Sequence, residues 1–447
     1  MAPKRSEVAP ENTWNAPSVF PTMQAWGAEF HDVETSLALL KSCKDKLRIG
    51  PAELVDALRT IEDIQRRTAK LGVYASMSYS VNTEDQAAAA MNDQVRNLAA
   101  KMRGATAFLN PELLAIGREK LEQWMKQNPQ LAVYRHFIDN LFRRNEHVRS
   151  MEVEELMGML AGPFTGPNSI FGSLTNADFK FKPAIGADGR EIPVAQSTMD
   201  AILHSPDREA RRTGWEHYMD TYVTFKNSLT NTLSASVKQN VFHMRVRKHA
   251  GTLEAALFEP NIPVEVFYNL INVFKKNLPT WHRYWRLRHR ALGVDILHTY
   301  DIWAPLTKAQ PRIDYRQVVD MIAAGMMPLG DEYVRVLRQG CLVDRWVDST
   351  PNQGKTASVF SSGCYDTHPF ICMHFTNDIG SLSTLAHELG HSMHSYLTHK
   401  HQPYIYGRYS TFVAEVASNF HQAMVRAHLL KTNADPGFQV ALLEEAM

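Results

Sequence analysis

The chain has 447 residues, 44% of them hydrophobic, enough for a substantial core spread over two or three domains. Its 48 Lys and Arg balance 47 Asp and Glu, which lacks the basic excess of a dedicated nucleic-acid or membrane-surface protein. No apolar run reaches the roughly 18–20 residues of a membrane span, residues 1–8 carry no apolar export core, and Cys43, Cys341, Cys364 and Cys372 show no metal or redox spacing, so a cytoplasmic protein with free thiols is expected.

Helical periodicity dominates the first part of the chain. Residues 83–86 form a capping-box pattern ahead of the alanine run 87–90, which reads as a close-packed helix. Between 171 and 194 the periodicity lapses: Asn176, Lys180, Lys182, Gly186 and Asp188-Gly189 punctuate a loop or hairpin. That segment predicts a domain boundary, with a helical N-terminal domain over 1–195 and a second domain over 196–447. Ser205-Pro206-Asp207 then opens a long helical region, with Ser205 as its cap. Residues 281–290 mix Trp281, Tyr284 and Trp285 with arginines, as a nucleic-acid surface would. On a helix those aromatics face a core while the arginines solvate, and that reading is preferred. Three β-like stretches, 297–302, 356–360 and 370–375, predict a small sheet.

The chemistry concentrates at His387-Glu388-Leu389-Gly390-His391. Residues four apart share a helix face, so both imidazoles can converge on one ion, and zinc accepts neutral imidazole nitrogens. Glu388 is offset around the helix and can face water activated by the metal, where a general base belongs. Leu382, Leu385, Leu389, Met393 and Leu397 recur at spacings of three and four, predicting a helix whose apolar face lies beside the ligand stripe. Ser381 or Ser383 can cap it, and Pro403 limits its length. Gly390 costs about 1 kcal/mol in a helix interior, which suggests that a neighbouring backbone or a ligand needs room there.

With 19 histidines in the chain such a spacing can arise by chance, so a third ligand decides the matter. Glu415 supplies it. It sits in a second predicted helix, capped by Ser410 or Thr411 and marked by Phe412, Val416 and Phe420, which is far enough along the chain to return beside the first. A carboxylate among small and apolar neighbours calls for a cation. Asn419 and Gln422 are candidates to orient the ligands through hydrogen bonds.

Residues 381–397 with 402–406 and 412–418, preceded by Gly354-Lys355, Ser361-Ser-Gly-Cys-Tyr365 and His368-Pro-Phe370, carry a specific resemblance. The chain resembles the M3 zinc metallopeptidases of the oligoendopeptidase F branch, most closely over 350–425. The resemblance implies a mainly α, multi-helical, gluzincin-type zinc peptidase with a small β-sheet beside the active-site helix and a deep channel that admits short peptides. It assigns one zinc per chain to His387, His391 and Glu415, and the role of base to Glu388. The expected activity is hydrolysis of internal bonds of oligopeptides by metal-activated water, with oligopeptides as partners and neither nucleic acid nor membrane. Family members continue past the second ligand helix into a segment that binds substrate. Residues 440–447 read as a helix without a stop signal, so a C-terminally truncated catalytic domain is expected. The alternative is then a catalytically impaired fragment that binds zinc and peptide.

Phe360, Gly363, Tyr365, His368 and Tyr406 are the candidate substrate contacts. An edge strand over 360–363 would hold an extended peptide through its main chain. Tyr404, Tyr406 or Tyr409 could donate to the oxyanion, although packing is the plainer role. His394 shares the ligand stripe, but a fourth protein ligand would close the position that catalysis needs. His368 and His374, as lone histidines, read as structural.

Overall fold

The protein is described from a computed structural model covering residues 3–44, 46–160, 162–307 and 311–447. Met1 and Ala2, part of the stretch read for an export signal, lie outside the described residues. The fold is predominantly helical, and its strands are two or three residues long. Two compact units divide it: Met1–Arg143 with Ala309–Met447, and Arg144–Lys308.

In the first unit, the helices Met23–Cys43, Pro51–Val81 and Gln86–Ala105 pack around Trp26, Val33, Leu71, Met77 and Leu98. Asp85, not Thr83, caps the third of these, its carboxylate accepting from the N–H groups of Ala87 and Ala88. The helices Tyr315–Met326, Asp331–Leu342, Ile379–His401, Thr411–Thr432 and Pro436–Ala446 build a second core around Val318, Ile322, Leu337, Leu385 and Leu389.

A three-stranded sheet lies between these cores. Phe370–Cys372 is central, parallel to Val347–Asp348 and antiparallel to Phe360–Ser362. Successive strand residues point to opposite faces. Phe370 and Cys372 accordingly enter the N-terminal core, and Ile371 and Met373 the other. All four are fully buried, which fixes the register because a one-residue slip would exchange the faces. Residues 356–359, predicted as strand, are irregular, while Val347–Asp348 was not foreseen. The N-terminal segment is pinned to this sheet by Asp348, which is fully buried and receives Lys355 Nζ at 2.7 Å, the Trp14 N–H at 3.2 Å and the Arg5 guanidinium.

The second unit holds the predicted hairpin, Ala184–Ile185 against Glu191–Ile192. Residues 174–178 ahead of it are helical instead of irregular. Asp207, rather than Ser205, caps the helix Arg208–Thr224. The stretch 297–302 is not a strand: Thr299–Asp301 is a tight helical turn. Buried Asp301 closes it by accepting from the His298 N–H and from Arg208 and Arg211 at 2.9 and 3.0 Å. In the helix Val264–Leu292 the aromatics pack on one another, with Tyr284 and Trp285 centroids 4.9 Å apart, but they are only half-buried and join no core of the described residues, contrary to the expectation. Arg288 departs from the expectation. It is only 2% exposed and donates to the Asp301 carbonyl at 3.1 Å, because a buried guanidinium needs acceptors to offset its desolvation.

Candidate metal centre

The helix Ile379–His401 begins at Asp378, whose Oδ1 accepts from the Ser381 N–H at 2.7 Å, so neither Ser381 nor Ser383 is the cap. Ile379, Leu382, Leu385, Leu389 and Met393 bury one face, as their spacing predicts. The helix Thr411–Thr432, capped by Ser410, returns across the other face. Gly390 makes the crossing possible. A Cβ there would stand 2.6 Å from Ser418 Cα and 2.7 Å from the Ala417 carbonyl oxygen, so the neighbour that needed room is the second helix's backbone.

This approach brings three donors together. His387 Nε2 and His391 Nε2 lie 3.4 and 3.7 Å from Glu415 Oε2, and the two rings stand almost perpendicular at 86°. A tetrahedral zinc with bonds of about 2.0–2.2 Å sets its ligand atoms roughly 3.3–3.6 Å apart, so the His387–Glu415 pair already fits and the His391–Glu415 pair needs only a small contraction. Two imidazoles and one carboxylate are donor types that suit zinc, and three such donors would leave a fourth coordination position open.

Neighbouring groups hold the donors in place. His387 Nδ1 meets Gln422 Oε1 at 3.1 Å, while Gln422 Nε2 donates to Ser383 Oγ at 2.9 Å. With Gln422 Nε2 turned to Ser383, its Oε1 faces the ring, and in that orientation Nδ1 carries the proton and Nε2 is left for a metal. Ser418 Oγ donates to Glu415 Oε2 at 2.8 Å. Burial holds His391 below the usual histidine range, the neighbouring His387 adds to the effect, and both keep the ring neutral as a ligand must be. Of the two predicted orienting residues, Gln422 contacts His387, whereas Asn419 is exposed and its side chain reaches no ligand among the described residues.

Glu388 faces the same space and is only 6% exposed. Its Oε2 has no hydrogen-bond partner among the described residues. Burial pushes its carboxyl up to about 7; His387 and the Ser361 backbone oppose the rise, and the Glu415 charge reinforces it. The edge strand is tied to this helix by Ser361 Oγ and Ser392 Oγ, 2.8 Å apart.

Phe360 and Gly363 flank Ser361 on and just beyond the edge strand. Gly363 and Tyr365 line a cavity of about 600 Å³ with Tyr404 and Arg408. The Tyr365 hydroxyl donates to the carbonyls of Gln402 and Pro403, and its ring lies 4.3 Å from His399. Tyr406 donates to the Val133 carbonyl at 2.6 Å, and Tyr409 bonds Ser395. His368 packs near Trp346 and Phe370, His374 bonds the Thr356 carbonyl, and His394 stacks on Tyr409. The contacts made by Ser361, Ser383, Ser392 and Ser418 were not read from the sequence, where Ser383 was taken as a possible cap and Ser361 as part of a motif. Only Ser418, three residues past Glu415, carried a helical-spacing signal that could have found it.

The chain matches peptidase family M3 over residues 201–447 and oligopeptidase F over 112–181. It is 37% identical to oligopeptidase PepF of Bacillus subtilis, covering all of this chain and 66% of that protein. It is 30% identical to group B oligopeptidase PepB of Streptococcus agalactiae, covering 99% of this chain and 74% of the relative. A solved structure from Chlamydophila abortus superposes over the whole chain and 75% of its own length, with a TM-score of 0.85 and 28% identity. Oligoendopeptidase-F from Enterococcus faecium covers 95% of this chain and 70% of its own, at 0.66 and 26%. With the family match extending over more than half its length, and across both ligand helices, the chain belongs to peptidase family M3.

Proposed function

We propose that the protein is a zinc-dependent endopeptidase that hydrolyses internal bonds of oligopeptides. The observation that carries this reading is the convergence of His387, His391 and Glu415 beside a buried Glu388 carboxylate whose Oε2 is unpartnered among the described residues. Zinc held by those three residues would act as a Lewis acid, polarising the scissile carbonyl and acidifying water. Glu388 takes the proton of the attacking water on its carboxylate and delivers it to the leaving amine. A carboxyl raised to about 7 by burial is suited to both steps near neutral pH.

Substrate is held in extended form along Phe360–Ser362. This strand pairs on one side only among the described strands, so its free edge offers main-chain groups indifferent to peptide sequence. Phe360 and Gly363 contribute backbone there, and Tyr365 lines the neighbouring cavity. His368 and Tyr406 support the loops that carry these groups. A cytoplasmic setting accords with four free thiols, three of them buried, and no described helix is long and apolar enough to cross a membrane.

The test is cleavage of an internally quenched peptide library with zinc and with chelator. Internal cleavage that stops with chelator and returns with zinc is expected. Cleavage insensitive to chelator contradicts the proposal, and zinc bound without any cleavage favours a peptide-holding role.

A further inference from the structure

His147, His249 and Glu254, in the unit Arg144–Lys308, each place one nitrogen or oxygen within 4.8 Å of the others. We propose that they form a second divalent-cation site of the zinc class, with Glu146 at its edge. The inference is independent of the proposed hydrolysis and goes beyond the single zinc expected from the sequence.

Hydrogen bonding defines the donors. His147 Nδ1 lies 2.8 Å from the Arg247 carbonyl, and a carbonyl only accepts, so Nδ1 carries the proton and Nε2 presents its lone pair. That is the arrangement by which metal-binding histidines are usually held. His147 Nε2 then faces Glu146 Oε1 at 3.4 Å, two electron-rich atoms that a positive charge between them would reconcile. His249 Nδ1 lies 3.7 Å from Glu254 Oε1. The His249 side chain is 7% exposed, and its Nδ1 makes no hydrogen bond to any described residue, an orphaned buried nitrogen that a cation would satisfy in the tautomer with Nδ1 unprotonated.

The surroundings keep the donors in reach without neutralising them. Glu254 is anchored by the Ala250 N–H at 2.9 Å in the first turn of Thr252–Phe258. Lys248, with φ +60°, turns the chain so that the Arg247 carbonyl and the His249 ring both face His147. The Arg247 guanidinium is engaged by Glu154. The two rings stack with centroids 3.7 Å apart and planes at 19°, unlike the nearly perpendicular pair at 387 and 391. Sharing an ion therefore requires one ring to tilt out of the stack, and tilting His249 breaks no hydrogen bond at Nδ1, whereas tilting His147 breaks its bond to the Arg247 carbonyl.

The full chain, stripped with chelator, would be titrated with Zn²⁺ against a chromophoric competitor. Two equivalents are expected for the parent, and one each for His249→Ala and His387→Ala. An equivalent lost only in His387→Ala, with His249→Ala binding as much zinc as the parent, overturns the proposal. One equivalent lost in His249→Ala and unaffected by His387→Ala would contradict the other site and leave this one standing. Glu254→Gln guards against a folding artefact: it should weaken the second equivalent at least tenfold while the circular dichroism spectrum and peptide cleavage stay unchanged. Unaltered affinity in Glu254→Gln also overturns the site.

Discussion

Glu388 and Gly390 stand two residues apart on one helix and answer opposite demands, one for a carboxylate kept from water and one for the absence of any side chain. Helix propensity alone would make Gly390→Ala stabilising by about 1 kcal/mol. The Ser418 and Ala417 backbone lies inside the volume of the added methyl, and relieving such overpacking costs about 1–3 kcal/mol. Gly390→Ala should therefore lower unfolding stability in urea by up to about 2 kcal/mol, and a more stable variant would refute this account of the crossing. Ser418→Ala removes the donor that aims Glu415 and should weaken zinc affinity by about 10–100-fold in a competition titration, with secondary structure intact. An unchanged affinity would show that Ser418 does not orient the ligand. His387, Glu388 and His391 were legible in the sequence because a spacing of four on a helix is itself a geometric statement, and Glu415 because its own capped helix could return beside them. The serines were not, because a hydroxyl contact across 31 or 39 positions leaves no local pattern.

Among the elements, the two ligand helices were readable from periodicity and capping, but their exact boundaries depended on which polar residue won the cap. Asp378 accepts through a full negative charge and displaced Ser381 and Ser383 from that role. Burial alone would raise its carboxyl, but hydrogen bonds from Thr376 and Ser381 outweigh it and hold the group below the ordinary aspartate value. The contribution of a group so depressed is present above its unfolded value of about 3.9 and is lost as pH falls through the lower folded value. Asp378→Ala should cost about 1 kcal/mol at neutral pH. Denaturation across an acid series should find the gap closing below the folded-state value, and a gap independent of pH would contradict the cap. The Phe412, Val416 and Phe420 repeat identified a helix correctly but not its buried face, since these residues are 55%, 59% and 47% exposed. A stripe reports period, not what covers it. Likewise Val347–Asp348, two residues long, carries no period to read.

For the molecule as a whole, the motif-bearing segment resembled the helical M3 peptidases, and the family match and the superposed relatives bear that out. The pairing of sequence-distant parts was less accessible. The N-terminal segment reaches Asp348, and the central strand divides its side chains between two cores, contacts fixed by tertiary burial and not by local propensity. The sequence at Arg288 was equally silent, because only the fold supplies the carbonyl that a buried guanidinium requires. The proposed activity rests on one proton-transferring carboxylate beside three metal donors. The most direct measurement is the turnover of an internally quenched peptide by zinc-loaded parent and Glu388→Gln, with bound zinc determined in the same samples. Unchanged zinc content with turnover reduced by at least about 10²–10⁴-fold is the predicted result. Equal turnover in the two proteins would contradict the account.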